Sequence, residues 1–580
     1  MKKQKMSIYR VILVVGIFSF SACGVKDEVP TATTAPPTAT ATAEISLEIS
    51  EITPQDKDVS INEVITVIFS EPIDESTVNE TNIIIMEGDQ AIEGEIKVDG
   101  PTVTFTPLVP FEYLKTYVVT VSDTVSAISG NQLEDEFSWS FETGGPFTVV
   151  YFESPSLNQP SDTGSFLMDL DSDGDLDLII ARQLYPPAPS QVYAFRNDGA
   201  GNFTDSTADV FAGQKIMAET WRHWAIADFN GDGRNDLFVA DHGFDPYTEE
   251  DVHTGGQSRI FIQNDLGQLV DETFERLPQM LAFTHNVAAG DVDNDGDVDV
   301  YMGNRAGHVH VGPRFYINDG NGYFSDEPER IPWRIASKES YADYASCILL
   351  DVDLDGDLDL FLGGKPAAED QDITHDTLLL NDGTGIFDYA PPNSLPPRLE
   401  GMDEEVGIGT GDFNQDGWPD LVIASQIFVG DGPDRIFTGP QLHLLVNNGD
   451  GTFRDETPIL NQDWASSIRP DRIGETQTID WPVIVDYNND GWPDIFTVNW
   501  NIEPVLFENN NGENFSIGER LGGYMLNPRG EFEQVEMSKL LEDYYSFPEI
   551  ALIGDLDGDG NLDYVIIYDG WTKQVVLLRN

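Results

Sequence analysis

Cysteine, basic side chains and long apolar runs are all scarce in this chain. Only Cys23 and Cys347 are cysteine among 580 residues, which excludes a disulfide framework as the source of stability. Lys and Arg number 31 against 102 Asp and Glu, for a net charge of −71. That excludes electrostatically driven nucleic-acid binding, which needs cations to displace the counterions of phosphate. Neither an HExxH pair nor a nucleophile motif is present. What is there suffices for packed cores: 40% of residues are hydrophobic and 11% aromatic, so the chain is not wholly disordered. Its length predicts several domains. So large an acidic surplus destabilises a compact fold by self-repulsion unless cations offset it.

The amino terminus reads as an export signal. Lys2, Lys3, Lys5 and Arg10 precede an apolar stretch, Val11 to Phe20, that is too short to span a bilayer. Phe20-Ser21-Ala22-Cys23-Gly24 follows. Small residues before a lone cysteine resemble the bacterial lipobox, although Phe20 departs from the usual Leu. The resemblance implies that Cys23 is lipidated, becomes the mature amino terminus and anchors the protein at a bacterial cell envelope or surface. An ordinary signal peptide is the alternative, and both export the protein. Residues 1–23 are thus assigned to the signal. Residues 24–43, Pro, Thr and Ala almost throughout from Val29 to Ala43, are assigned to an extended tether. Cys347 lies in an apolar run, Ala345 to Leu350, and is expected to be a buried small hydrophobe.

Residues 44–144 carry short β-rich segments separated by turn residues: Val64–Phe69, Thr102–Thr106, Tyr117–Val121 and the strictly alternating Phe137–Phe141. Such a segment of this size predicts a β-sandwich. Phe69-Ser70-Glu71-Pro72-Ile73-Asp74, Thr104-Phe105-Thr106-Pro107 and Trp139-Ser140-Phe141 resemble the bacterial Ig-like domains of surface proteins, which serve mostly as spacers.

The remainder, 145–580, is built on a repeat. An Asp-rich nonapeptide begins at Asp169, Asp228, Asp291, Asp351, Asp412, Asp486 and Asp555, with successive starts 59, 63, 60, 61, 74 and 69 residues apart. An apolar stretch leads into each copy and another leads out. A third strand then runs into an Asn-Asp-Gly or Asn-Asn-Gly turn, such as Asn197-Asp198-Gly199 and Asn447-Asn448-Gly449, whose residues accept the positive φ of tight hairpins. A fourth strand opens at Phe203, Phe324, Phe387, Phe453 and Phe515. Four antiparallel strands repeated seven times predict a seven-bladed β-propeller. The last repeat stops after its third strand, at Leu577 to Asn580, and the strand it lacks is found before the first repeat, at Gly145–Val150. The expectation is that this strand completes the last blade and closes the ring. The fold class expected is therefore all-β, an Ig-like β-sandwich followed by a seven-bladed β-propeller. These repeats resemble the FG-GAP/VCBS family, the propeller type of integrin α-subunits and many bacterial surface proteins.

The nonapeptides point to Ca²⁺, at up to seven sites. Oxygen side chains at positions 1, 3, 5 and 9, with glycine at 6, curl a loop around a hard cation. The candidate ligands are Asp169, Asp171, Asp173, Asp175 and Asp177; Asp228, Asn230, Asp232, Arg234 and Asp236; Asp291, Asp293, Asp295, Asp297 and Asp299; Asp351, Asp353, Asp355, Asp357 and Asp359; Asp412, Asn414, Asp416, Trp418 and Asp420; Asp486, Asn488, Asp490, Trp492 and Asp494; and Asp555, Asp557, Asp559, Asn561 and Asp563. Arg234, Trp418 and Trp492 show that position 7 must serve through its backbone carbonyl. An EF-hand is excluded because position 12 is apolar (Ile180, Val239, Leu362) where a bidentate Glu is needed. Mg²⁺ suits the flexible, oxygen-rich set less well, and plain Asx turns are the alternative without a metal. Loops with Asn230, Asn414 and Asn488 at position 3 carry one charge less and are expected to bind more weakly. The loops hold 28 of the 102 acidic residues, so seven Ca²⁺ would offset 14 charges.

Residues just before each inner strand are expected to line the central channel: Asp162, Arg222, His223, Trp224, Thr284, His285, Asn286, Tyr341, Asp343, Tyr344, Glu404, Glu405, Asp480 and Trp481. Insertions at Asp241–Ser258, Lys365–Thr377 and Gln426–Gln441 would decorate the face. These features favour recognition of an extracellular protein or glycan by a non-catalytic surface protein. The alternative is a carbohydrate-active lyase or dehydratase, which the resemblance allows, with a channel metal near His223 and His285. A purely architectural role is a third reading.

Overall fold

The computed structural model describes residues 46–579, except for segments 155–163, 182–187, 245–254, 306–310, 338–343, 365–375, 399–401, 430–435, 461–477, 501–504, 521–523, 527–531, 535–549 and 568–572 and the single residues 56, 58, 89, 114 and 146. The signal segment, Cys23 and the tether lie outside the described residues.

The chain divides into two compact units. In the first, two four-stranded antiparallel sheets form from the β-branched segments. One runs in the order Ile49–Thr53, Ile65–Phe69, Thr102–Pro107, Gly94–Asp99, and the other in the order Gln90–Ala91, Ile83–Glu87, Thr116–Val121, Phe137–Glu142. Period-two side chains alternate between faces, so Ile65, Val67, Phe69, Val103 and Phe105 are buried on one sheet and Tyr117, Val119 and Val121 on the other.

Among the described residues of the second unit, seven four-stranded antiparallel sheets follow one another. Their first strands are Phe166–Met168, Trp221–Ala227, Thr284–Gly290, Tyr344–Leu350, Met402–Gly411, Thr478–Val485 and Ile550–Gly554. The second strands all begin at position 9 of the nonapeptide: Asp177–Ile180, Asp236–Asp241, Asp299–Asn304, Asp359–Gly364, Asp420–Val429, Asp494–Trp500 and Asp563–Ile567. The third are Tyr193–Arg196, Arg259–Gln263, Arg314–Asn318, Thr377–Asn381, Ile436–Asn447, Val505–Asn509 and Lys573–Arg579. The fourth are Thr204–Asp205, Leu269–Asp271, Phe324–Glu327, Phe387–Tyr389, Phe453–Asp455, Phe515–Arg520 and, for the seventh sheet, Phe147–Glu153. That last strand precedes the first sheet in the chain. It pairs with the end of the chain from Phe147 opposite Arg579 to Glu153 opposite Lys573, the pairing the repeat offset predicts.

Second strands are buried on both faces, as in the pattern of Asp236–Asp241, because apolar clusters lie on either side. Each cluster spans two successive sheets. Phe166 and Met168 of the first pack with Trp221, Leu237 and Phe261 of the second, and Tyr301 and Phe315 of the third pack with Leu360, Leu379 and Phe387 of the fourth. The same holds between the second and third, fourth and fifth, fifth and sixth, and sixth and seventh sheets. The remaining cluster joins the last sheet to the first, through Val565, Ile567 and Val576 against Leu178, Ile180 and Phe195. Cys347 is buried in this apolar surrounding, and burial pushes its thiol pKa well up.

Candidate metal centres in the interstrand loops

Each nonapeptide joins the first strand of a sheet to the second, and its backbone turns twice through positive φ. Glycine at position 6 sits between +87° and +98° in all seven loops, a region closed to other residues. Position 4 is also left-handed: Ser172, Gly231, Asn294, Leu354, Gln415, Asn489 and Gly558 have φ between +54° and +74°. The sequence pattern signals position 6 and hides position 4, because five of these seven residues carry a side chain.

The carboxylates organise the turn. Position 1 accepts the amide of the position 6 glycine in every loop, as in Gly356 to Asp351 Oδ2 at 3.0 Å. Position 5 accepts the amide of position 7, as in Asp297 to Asp295 Oδ1 at 3.0 Å. Position 9 is buried and braces the sheet. Asp359 Oδ2 accepts the Val352 amide at 3.1 Å and Oδ1 the Asn381 amide at 2.9 Å, and the other six repeat this pair of bonds. Burial pushes Asp177, Asp236, Asp299, Asp359, Asp420 and Asp563 up to about 7 and Asp494 up to about 6. Position 9 is thus a structural joint as well as a candidate ligand.

Position 3 behaves differently. Asp171 Oδ1, Asp293 Oδ1 and Asp353 Oδ1 are buried and accept no hydrogen bond. Burial first, and neighbouring Asp carboxylates second, raise the pKa of Asp171, Asp293, Asp353 and Asp557. Carboxylate oxygens converge within 4.8 Å in four loops: Asp169, Asp171 and Asp177; Asp291, Asp293 and Asp295; Asp351, Asp353 and Asp355; and Asp555, Asp557 and Asp563. These are the four loops with Asp at position 3. In the second and fifth loops the Asn at position 3 instead donates to position 5, Asn230 to Asp232 Oδ2 and Asn414 to Asp416 Oδ2, each at 2.9 Å. Arg234 also bonds Asp232 Oδ2, at 2.6 Å, so a side-chain cation already occupies that carboxylate.

Seven side chains staple the sheets together, and four of them (Asn197, Asn318, Asn381 and Asn447) open the turns that the sequence marks. The side chain at the end of each third strand donates to the position 2 carbonyl of the preceding sheet's loop. Gln263 reaches Leu170, Asn318 reaches Phe229, Asn381 reaches Val292, Asn447 reaches Val352 and Asn509 reaches Phe413, at 2.7–3.0 Å. Arg579 reaches Tyr487 at 2.5 Å, and Asn197 of the first sheet reaches Leu556 of the seventh at 2.8 Å. The periodic Asn before Asp-Gly or Asn-Gly was the available signal.

The expected channel residues that are described lie within the first strands, not before them. Pairing shifts between Trp221 and His223, Thr284 and Asn286, Tyr344 and Ser346, Glu405 and Gly407, and Ile479 and Trp481. Arg222 and His285 therefore occupy β-bulges, which re-aim a side chain, and the backbone shift of the sixth sheet falls at Asp480. His223 stacks on Trp224, with ring centroids 5.5 Å apart, and burial lowers its pKa to about 4. His285 packs edge-on against His242 at 4.9 Å. Among the described residues, no group of three or more metal-ligating side chains includes either His223 or His285. Asp162, Tyr341, Asp343 and most of the three insertions lie outside the described residues.

With this geometry in hand, comparison with known proteins gives two family matches. A model described as bacterial Ig-like domain matches residues 43–143. A model described as FG-GAP-like repeat matches residues 169–239, 291–362 and 351–423. Among solved structures, the exotype rhamnogalacturonan lyase YesX is 13% identical over 90% of both chains, with a TM-score of 0.40. Rhamnogalacturonan lyase PL11 of Bacillus licheniformis is 11% identical over 91% of both, with a TM-score of 0.37. An auxiliary nutrient binding protein of Bacteroides ovatus is 10% identical over 93% of this chain and 99% of that one, with a TM-score of 0.32. No curated protein matches the chain.

Proposed function

For a chain that carries a bacterial Ig-like domain followed by FG-GAP-like repeats, we propose the role of a cell-surface lipoprotein whose Ca²⁺-stabilised β-propeller recognises an extracellular protein or glycan. The observation that carries the calcium part is the buried Oδ1 of Asp171, Asp293 and Asp353, which accepts no hydrogen bond. A buried carboxylate oxygen without a partner is costly and the neighbouring acids compound the cost, while Arg196 and Arg330 pair only the Oδ2 atoms of Asp171 and Asp293. A hard divalent cation removes both penalties, and the all-oxygen donor set suits Ca²⁺. Positions 1, 3, 5 and 9 and the position 7 carbonyl would hold it. Bound Ca²⁺ would supply charge neutralisation and a rigid loop.

The propeller reading rests on the cyclic order of the seven inter-sheet clusters and on the strand Phe147–Glu153 that completes the seventh sheet. Closure leaves no open sheet edge. If the cation loops are scaffold, recognition falls to the bulged ends of the first strands and the insertions beside them. The export signal and Cys23 would place the protein outside the cell on a lipid anchor, with the Ig-like domain as a spacer.

A screen against glycans and extracellular matrix proteins, run with Ca²⁺ and with EDTA, tests this. Saturable, Ca²⁺-dependent capture is the expected result. Release of a cleaved or unsaturated sugar product would instead establish the carbohydrate-active alternative.

A further inference from the structure

In the second and third sheets an arginine fills a slot beside position 3 of the cation loop. Arg330 pairs with Glu327 at 2.7 Å and with Asp293 at 3.1 Å, and donates to the Thr384 carbonyl in the turn of the next sheet at 3.0 Å. Arg276 pairs with Glu272 at 2.6 Å and donates to the Asn321 carbonyl of the next turn. Both side chains are nearly buried, 12% and 13% exposed, so the slot desolvates a guanidinium and compensates it with carboxylate.

The fifth sheet keeps the slot and lacks the arginine. Counting from the turn glycines Gly322 and Gly451, Glu456 falls where Glu327 does, and Ile459 falls where Arg330 does. A cavity of about 190 Å³ is left there, between the fifth and sixth sheets. Glu456, Glu513 and Arg454 stand on its wall, and Phe413, Leu444, Val446 and Ile459 supply apolar surface, with Asn414 of the cation loop beside them. Glu456 is held by Arg454 at 2.9 Å, which leaves Glu513 as the net charge. The cavity is smaller than the roughly 300 Å³ at which drug-sized ligand pockets begin. It suits one side chain: an aliphatic stem along the apolar wall and a planar cation against carboxylate.

We infer that this cavity receives an arginine side chain from a partner protein. The internal comparison argues for the guanidinium: Arg330 fills the corresponding position in the third sheet, and Arg276, one residue further along in the second, reaches the equivalent carbonyl of the next turn. The inference deepens the partner-binding reading, and rests on it only in taking the arginine from another protein.

The test titrates N-acetyl-arginine methylamide into the full chain with Ca²⁺ present, against its lysine and norleucine counterparts. Saturable binding of the arginine probe is expected, at least tenfold tighter than the lysine probe and absent for norleucine. Ile459→Arg should fill the slot from within, abolish probe binding and raise Tm; Glu513→Gln should weaken the probe at least fivefold at unchanged Tm. Failure of the arginine probe to saturate, equal binding of norleucine, or binding that survives Ile459→Arg would overturn the inference. Because the probe reads the cavity without any partner, an empty protein screen would count against the partner reading and not against the slot.

Discussion

Asn197 and Leu556 are 359 residues apart in the chain, yet the Asn197 side-chain amide donates to the Leu556 carbonyl at 2.8 Å. Asn197 directly follows the third strand of the first sheet, and Leu556 is the second residue of the last Asp-rich loop. The bond repeats, between the same two positions, the contact made at every other sheet junction. Replacing Asn197 with Ala removes this bond and the one its side-chain amide donates to the Leu176 carbonyl at 3.3 Å, while Leu556 keeps the Gly201 amide at 3.1 Å. The expected cost is about 1–3 kcal/mol, read from denaturant unfolding, and Asn381→Ala should cost a similar amount at an interior junction. A cost below the error of the measurement at both positions would remove the staple from the account of stability.

Chelation should lower Tm sharply if the loops hold the proposed Ca²⁺, because its removal would restore mutual repulsion and an unpartnered buried oxygen in the loops. An unchanged melting curve in EDTA sinks structural calcium. Calorimetric titration of the chelated protein should separate a tighter class of sites from a weaker one, with Asp293→Asn moving a site from the first to the second. The weak class corresponds to the loops with Asn230, Asn414 and Asn488, and Arg234 should make the second loop the weakest.

Two neighbours in one loop should respond oppositely to substitution. Gly356 has φ +98°, and a Cβ there meets no atom within 4 Å. Gly356→Ala therefore costs conformation and not space, an expected loss of about 1–3 kcal/mol. Leu354 has φ +54° and is 52% exposed. Leu354→Gly relieves a left-handed side chain with little apolar burial at stake, so stability should rise by up to about 1 kcal/mol. Equal effects of the two changes on the denaturation midpoint would contradict the loop conformation.

In chelator the protein should become less stable as pH rises from 5 to 8. Burial pushes six of the position 9 carboxyls up to about 7, whereas an unfolded Asp titrates near about 3.9. Between these values the folded state holds protons that the unfolded state has released, so stability falls with rising pH through the folded pKa. Ca²⁺ needs ionised ligands, so the stabilisation it adds should grow over the same interval. A chelated protein that is more stable at pH 8 than at pH 5 would contradict the burial of these groups.

Much of this was legible in the residues alone. The near-constant pitch of the Asp-rich nonapeptides announced seven sheets, the alternation of apolar and polar positions announced strands, and the offset of Gly145–Val150 announced the pairing with the chain end. All three are local or periodic properties, and physical chemistry reads them directly from spacing. The tertiary structure decided what spacing cannot carry. It brought the strand-end Asn side chains onto the neighbouring sheet's carbonyls, moved Arg222 and His285 into bulges, and divided the loops by whether position 3 leaves a bare oxygen. It also left Ile459 where Arg330 stands in the third sheet. Each of these depends on which backbone atom a neighbouring sheet presents, and that partner lies tens to hundreds of residues away in the chain.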